Sequence, residues 1–203
     1  MKVVCCAATK GGCGKTSVCA LMVVASLQEG AKVAVIDLDP QQNLASWCQL
    51  RKLGEMPKLL EGGSVSDLLE MARKEKFAWV FIDTPPALLP IIEAAVSHAN
   101  LVVIPVRASP LDLMSVDSIA EMCEENNRPF VFVLNAVPPR TAYGEQAAKE
   151  LKKDGRVLSV SISNRQSIVM AMLRGQTGPE IDRGDQCAAE VASAWLAVKR
   201  LVK

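Results

Sequence analysis

An apolar, strand-like run, Val3–Ala8, passes directly into Thr9-Lys10-Gly11-Gly12-Cys13-Gly14-Lys15-Thr16-Ser17, and a segment of helical period follows at once. Few backbones accommodate that order. The glycines allow a tight loop whose backbone N–H groups turn inward, and the helix that begins after it adds its positive end to the same spot. That arrangement is a cradle for phosphate groups. Within it the Lys15 ammonium would reach the β- and γ-phosphates of a nucleotide, and the Thr16 hydroxyl would ligate Mg²⁺.

The rest of the chain keeps the same alternation. Strand-like runs are expected at Val3–Ala8, Lys32–Asp37, Trp79–Asp83, Leu101–Val106, Phe130–Asn135 and Val157–Ser161. Helical periods fall between and after them, at Thr16–Glu29, Leu68–Lys74, Leu111–Asn126, Thr141–Lys153, Arg165–Arg174 and Gln186–Val202. Apolar strands alternating with helices predict an α/β fold, a mostly parallel sheet with helices on both faces, of the Rossmann-like P-loop kind. Gly30 suits the position just past a helix C-terminus, and Ser64-Val65-Ser66-Asp67 has capping-box spacing. The loop Gly54–Gly63 is the least patterned part. With no internal repeat or linker, one domain over residues 1–203 is expected.

Composition narrows the function classes. Half the residues are hydrophobic but only 4% are aromatic, so the core has to be aliphatic. Lys+Arg 23 against Asp+Glu 22 excludes a strongly basic protein or an acidic tail. The balance hides an asymmetry: from Arg128 onward there are 12 basic and 7 acidic residues, so a polyanion-binding surface belongs in that last third. No apolar run approaches the ~20 residues of a membrane span, and Lys10 with Gly11-Gly12 cuts the N-terminal run too short for a signal peptide. Seven scattered cysteines without a C-x-x-C, and a single histidine, His98, give no zinc, iron–sulfur or disulfide framework. A reducing cytoplasm is the expected compartment. Trp47, Trp79 and Trp195 read as core or interface residues, and His98 as the end of a helix.

Two further strand ends carry acids. The second expected strand closes on Asp37-Leu38-Asp39-Pro40-Gln41-Gln42-Asn43, with two carboxylates where a doubly wound sheet binds ligands. One could complete a Mg²⁺ shell while the other orients a water for attack on the γ-phosphate. Trp79-Val80-Phe81-Ile82-Asp83-Thr84-Pro85-Pro86 is a buried strand ending in an acid, the Walker B shape, and Asp83 would bind Mg²⁺ through a water.

One departure from the general phosphate-loop pattern is informative. Thr9 stands where the pattern has glycine, and a lysine, Lys10, sits just inside the loop. Lys10-Gly11-Gly12-Cys13-Gly14-Lys15-Thr16 resembles the deviant Walker A motif of the ParA/MinD ATPases, and Asp37-Leu38-Asp39-Pro40-Gln41 resembles that family's D-x-D-P-Q segment. The resemblance runs from Lys2 to the last helix. It implies ATP and Mg²⁺ as cofactors, with Thr16, Asp37 and Asp83 at the metal. The nucleotide would be held by Lys10, Gly11, Gly12, Cys13, Gly14, Lys15, Thr16 and Ser17. The catalytic residues would be Lys10, reaching across an ATP-bound homodimer to the partner's phosphates, Lys15, and Asp39 as the hydrolytic acid.

Asn135 occupies the place where relatives set an asparagine against adenine, although an asparagine ending a strand also reads as a turn residue. Pro138 and Pro139 would shape the adenine side. Pro105-Val106-Arg107-Ala108-Ser109-Pro110-Leu111-Asp112 resembles the family's P-x-x-x-S-x-x-D element, expected at the dimer face. Ile162-Ser163-Asn164-Arg165 opens a stretch similar to the family's I-x-x-R segment. Arg165, at a helix start where a cation opposes the dipole, is thereby a DNA or dimer contact, and Arg174, Lys199, Arg200 and Lys203 form a basic face; the same residues also read as solvated helix ends.

With the chain opening directly on a strand, the likeness is to the short, ParF-like plasmid partition ATPases. That implies a weak, partner-stimulated, Mg-dependent ATPase that dimerises with ATP, binds nonspecific DNA and segregates plasmids or other cargo. It would be cytoplasmic, on the nucleoid when ATP-bound, with a small centromere-binding adaptor as partner and no membrane. A MinD-like membrane cycler, a nitrogenase-iron-protein-like reductase and a small-molecule P-loop kinase or amidoligase are the alternatives. The reductase needs paired cluster cysteines that the scattered set does not offer.

Overall fold

The computed structural model describes every residue except 52–56, 88, 114–115, 139–141, 182–185 and 203. Six strands, β1 (Lys2–Cys6), β2 (Val33–Asp37), β3 (Lys58–Leu59), β4 (Trp79–Asp83), β5 (Leu101–Arg107) and β6 (Phe130–Asn135), form one sheet in the order β3-β2-β4-β1-β5-β6. Every pairing in it is parallel. Parallel strands need crossovers, and the helices provide them: α1 (Lys15–Gln28), α2 (Asn43–Leu50), α3 (Val65–Lys74), α4 (Leu89–Val96), α5 (Pro110–Leu113) and α6 (Asp117–Glu125), while α7 (Tyr143–Leu151) follows the last strand. The chain then closes with α8 (Gln166–Met172), α9 (Gly178–Ile181) and α10 (Gln186–Leu201).

Strand side chains alternate between two cores. Val3, Cys5 and Ala7 face one that holds Leu68 of α3, Ile92 of α4, Ile119 of α6 and Ala147 of α7. Val4 and Cys6 face the other, with Leu21 of α1, Trp47 of α2, Ile168 of α8 and Trp195 of α10. Helix α1 is covered on nearly all sides, with Val18 through Ala25 all at 6% exposure or less, because α10 packs over it. All three tryptophans lie on that side. Trp195 stands edge-on to Trp79 at 4.8 Å and donates its indole N–H to Glu29.

Local signals explain most boundaries. Gly30 takes φ 79° just past α1, and its N–H bonds the Leu27 carbonyl, the left-handed stop expected of glycine. The Ser64–Asp67 capping box is formed in both directions. His98 lies past the end of α4 and its Nδ1 meets the Ala94 carbonyl at 2.8 Å.

Four expectations are corrected. Val157–Ser161 is not a strand: Leu158 N–H bonds Phe132 O and Ile162 N–H bonds Leu134 O, so four steps of this segment span two of β6. The excess residues bow out, leaving isolated bridges at Phe132↔Val157 and Val137↔Ser163. The unpatterned loop instead supplies β3, too short for any periodicity to register. The helix expected over Leu111–Asn126 is two, α5 and α6, with buried Val116 at a bend between them. Helix α2, unmarked in the sequence, starts at a left-handed Gln42 with no side-chain cap of its own, and the Asp37 carboxylate at the end of β2 accepts the Ala45 N–H instead.

Candidate nucleotide site

Strand order assembles the site. Because β4 lies between β1 and β2, its last residue, Asp83, is in register with Cys6 on one side and Asp37 on the other. The loop that follows Cys6 therefore rises beside Asp83, and Asp37 closes the far side. All of this is at the C-terminal edge of the sheet.

The loop geometry follows from its glycines. Gly12 and Gly14 adopt φ 75° and 95°, and Gly14 is the residue before α1 begins. A Cβ on Gly14 would also overlap the Asn135 amide. That amide donates to the Cys13 carbonyl at 2.9 Å, so Asn135, 8% exposed, holds the loop from below. Cys13 is buried, its thiol near the Lys10 carbonyl, and burial raises its pKa, so it is a filler and not a nucleophile.

Gly11, Gly12, Gly14, Lys15, Thr16 and Ser17 line a cleft of ≈ 360 Å³, and Asp39 and Pro86 face them across it. Lys15 is 7% exposed and its ammonium bonds the Lys10 carbonyl at 3.2 Å, folded back along the loop. Lys10 turns the other way. Its ammonium pairs with Asp112 at 2.8 Å, and Asp112 accepts a hydrogen bond from the Ser109 hydroxyl. Burial works against the Asp112 charge, but Lys10 and Ser109 outweigh it and hold the carboxyl below the usual range.

The acids divide by environment. Asp37 is half-buried and takes the N–H groups of Asp39 and Ala45, at 3.0 and 2.9 Å. Burial raises its pKa. Asp39 is more open and accepts the Gln41 N–H, an Asx turn that points the carboxyl along the cleft. Asp83 is 1% exposed and accepts the Thr16 hydroxyl at 2.6 Å. Its other oxygen is buried with no hydrogen-bond partner among the described residues, and burial pushes the carboxyl up to about 7. An unmatched buried carboxylate oxygen beside a threonine hydroxyl fits a hard divalent cation. Thr16 and Asp83 would hold Mg²⁺, with Asp37 behind them. The ion would supply positive charge against the phosphate oxygens. Around it, Lys15 and the loop N–H groups would bind and orient a triphosphate, and Asp39, lining the same cleft, would accept a proton from, or orient, a water there.

The remaining expected residues are scattered. Pro138 is exposed beside a separate ≈ 610 Å³ cavity between α7 and the 158–163 segment, and Pro139 and Lys203 lie outside the described residues. Arg165 is no bare cation at a helix start: it is 3.3 Å from Glu190, which also accepts the Ser163 N–H. Lys199 pairs with Glu29 and lies over the Trp195 ring. Arg174 and Arg200 are exposed. Sequence reading misses a buried clasp. Arg51 at the end of α2 forms a two-pronged pair with Glu180 at 2.8 and 3.0 Å, and Trp47 donates to the Gln176 carbonyl. This fastens α2, just past Asp39, to the α8–α9 region; partners so far apart in sequence leave no local signal.

A parallel doubly wound sheet with a glycine loop after β1 and acids closing β2 and β4 defines a P-loop nucleotide-binding protein. The chain belongs to the CobQ/CobB/MinD/ParA nucleotide binding domain family, whose model matches residues 4–178, and within it to the ParA/MinD ATPases. It is 28% identical over 198 residues to the maintenance of carboxysome distribution protein A of Halothiobacillus neapolitanus, covering 90% of this chain and 89% of that one. The MinD of Pyrococcus horikoshii, solved with Mg-ADP, superposes with a TM-score of 0.78 at 18% identity over 98% of this chain and 96% of that one. The ATP complex of a Cyanothece McdA variant gives 0.73 at 20% identity over 99% and 96%.

Proposed function

We propose that this protein is a Mg-dependent ATPase that dimerises face to face when ATP is bound, binds DNA without regard to sequence in that state, and uses the cycle to partition or position a cargo. Asp39 activates water, and a small adaptor on the cargo stimulates an otherwise weak hydrolysis. The observation that carries the reading is the opposed orientation of the two loop lysines. Lys15 folds back onto its own loop, whereas Lys10 leaves the loop for Asp112 at its rim, where a second copy's phosphates would arrive. The full-length likeness to a carboxysome distribution protein supports a positioning role. The excess of basic residues after Arg128 supports DNA as the surface along which positioning occurs, with Arg165, Arg174, Lys199 and Arg200 the candidate contacts.

A membrane-cycling version requires a free amphipathic helix. The apolar residues of α10, Cys187, Val191, Ala194, Trp195 and Val198, are instead buried against the sheet, which favours DNA. Light scattering with ATP and with ADP, beside pelleting on plasmid DNA and on anionic liposomes, tests this. Dimer and DNA pelleting with ATP alone are expected. A monomer in both nucleotides, or pelleting only with liposomes, would overturn it.

A further inference from the structure

At the opposite edge of the sheet, the N-terminal ends of β5 and β6 open into a groove of ≈ 700 Å³. Arg128, Arg156 and Arg200 line it, from the turn after α6, the turn before the Val157 bridge and the last turn of α10. Three arginines from separate segments thus line one groove, and among the described residues none of them pairs with a carboxylate. The contrast with Arg165 and Lys199, which have Glu190 and Glu29, is direct. Arg128 gives one N–H to the Ala99 carbonyl at 3.4 Å and leaves its Nε buried without an acceptor, so it holds donor capacity the protein does not use.

The groove is also built. The Arg156 carbonyl accepts the Phe132 N–H, which fixes Arg156 to the sheet edge. Gly155 just before it lies so close to Phe130 that a Cβ would meet the ring at 2.6 Å. Glu124 and Asp154 sit in the same lining, so the three cations are partly opposed and the groove keeps an excess of one positive charge.

We infer that this arginine groove is a contact for the phosphate backbone of DNA, separate from the nucleotide site. Arginines lining one groove without ion-pair partners suit phosphate oxygens and carry no base readout. The inference rests on the DNA-binding reading above and relocates its surface, since Arg165 and Lys199 are already neutralised. It also adds a mechanism. The groove lies at the end of the strands away from the phosphate loop, so a dimer joined at the loops carries two grooves at its far ends, each present whatever the nucleotide. ATP then raises DNA affinity by joining two weak sites, not by creating one.

The test compares wild type, Arg156→Gln/Arg200→Gln and Arg165→Gln/Lys199→Gln by DNA gel shift at several salt concentrations, with ADP and with a nonhydrolysable ATP analogue. Melting curves check that the exposed-arginine variant remains folded. Removing two phosphate contacts should lower the slope of log K against log salt by about 1.8 per groove. The Arg165/Lys199 variant should keep the wild-type slope, and Asp154→Asn should bind more tightly. Beads carrying one duplex should capture a second, labelled duplex only with the ATP analogue. If wild type binds DNA and the groove variant keeps its slope, the groove is refuted and the DNA reading stands. If wild type binds no DNA in either nucleotide, the DNA reading itself falls.

Discussion

Asp112→Asn isolates what the Lys10 contact does. The variant loses the charge facing Lys10 but keeps an oxygen for the Ser109 hydroxyl. In the structure the pair is 2.8 Å long, with the lysine side chain 39% exposed and the aspartate 12%. Exposed pairs are worth about 0.2–1 kcal/mol, and the buried side of this one argues for the upper end, about 1 kcal/mol. If Lys10 must leave Asp112 to reach a partner's phosphates, both protomers lose their pair, and the dimer carries a cost of about 2 kcal/mol. At 1.4 kcal/mol per tenfold, removing that cost should tighten the ATP-bound dimer about thirtyfold. Sedimentation equilibrium over a protein dilution series, with a nonhydrolysable ATP analogue, reads the constant. Raised salt should narrow the gap between variant and wild type, because screening already weakens the wild-type pair. An unchanged or weaker dimer would show that Lys10 stays with Asp112 on assembly, and the opposed-lysine argument would fail with it.

Lys15→Ala should abolish nucleotide binding in a fluorescent-analogue titration, whereas Lys10→Ala should bind nucleotide yet remain monomeric in light scattering with ATP. Asp39→Ala should bind ATP and DNA but release phosphate at the background rate in a coupled assay; wild-type turnover would move the role to Asp37. Gly14→Ala should cost about 2–4 kcal/mol in denaturant unfolding, from a left-handed φ and a displaced Asn135 hydrogen bond, and adding Asn135→Ala should relieve the overlap but not the backbone strain.

What was legible in the sequence was whatever local chemistry forces. Trp79–Asp83 and Phe130–Asn135 are strands over those same residues, because runs buried on both faces end abruptly at a polar residue. The phosphate loop was legible because its glycines leave few conformations. What was hidden depends on partners far along the chain. Helix α2 is capped from β2, so no cap residue precedes it. The bulge at 158–162 depends on how many β6 residues it must match. Arg165 and Lys199 are answered by Glu190 and Glu29, which a charge sum cannot reveal, and the same sum gives no sign that Arg128, Arg156 and Arg200 line one groove.

The pairing of Asp37 with Asp83 shows why strand order matters for the chemistry. In sequence they end the second and fourth strands; in the sheet those strands are neighbours and the carboxyls are in register. Burial first, and then the neighbouring Asp37 charge, push the Asp83 carboxyl up to about 7, and one of its oxygens has no hydrogen-bond partner among the described residues. A fold tolerates such a group only where packing elsewhere is secure, and here the strands carrying it are buried between two aliphatic cores. The desolvation that makes Asp83 costly without a cation makes its interaction with one strong, since no water shell screens it. Thr16, bonded to the same carboxyl from the first turn of α1, ties that charge to the loop. The sheet therefore delivers to one point a helix N-terminus, a lysine and an unmatched acid. That combination would bind a phosphate and its metal together better than either alone.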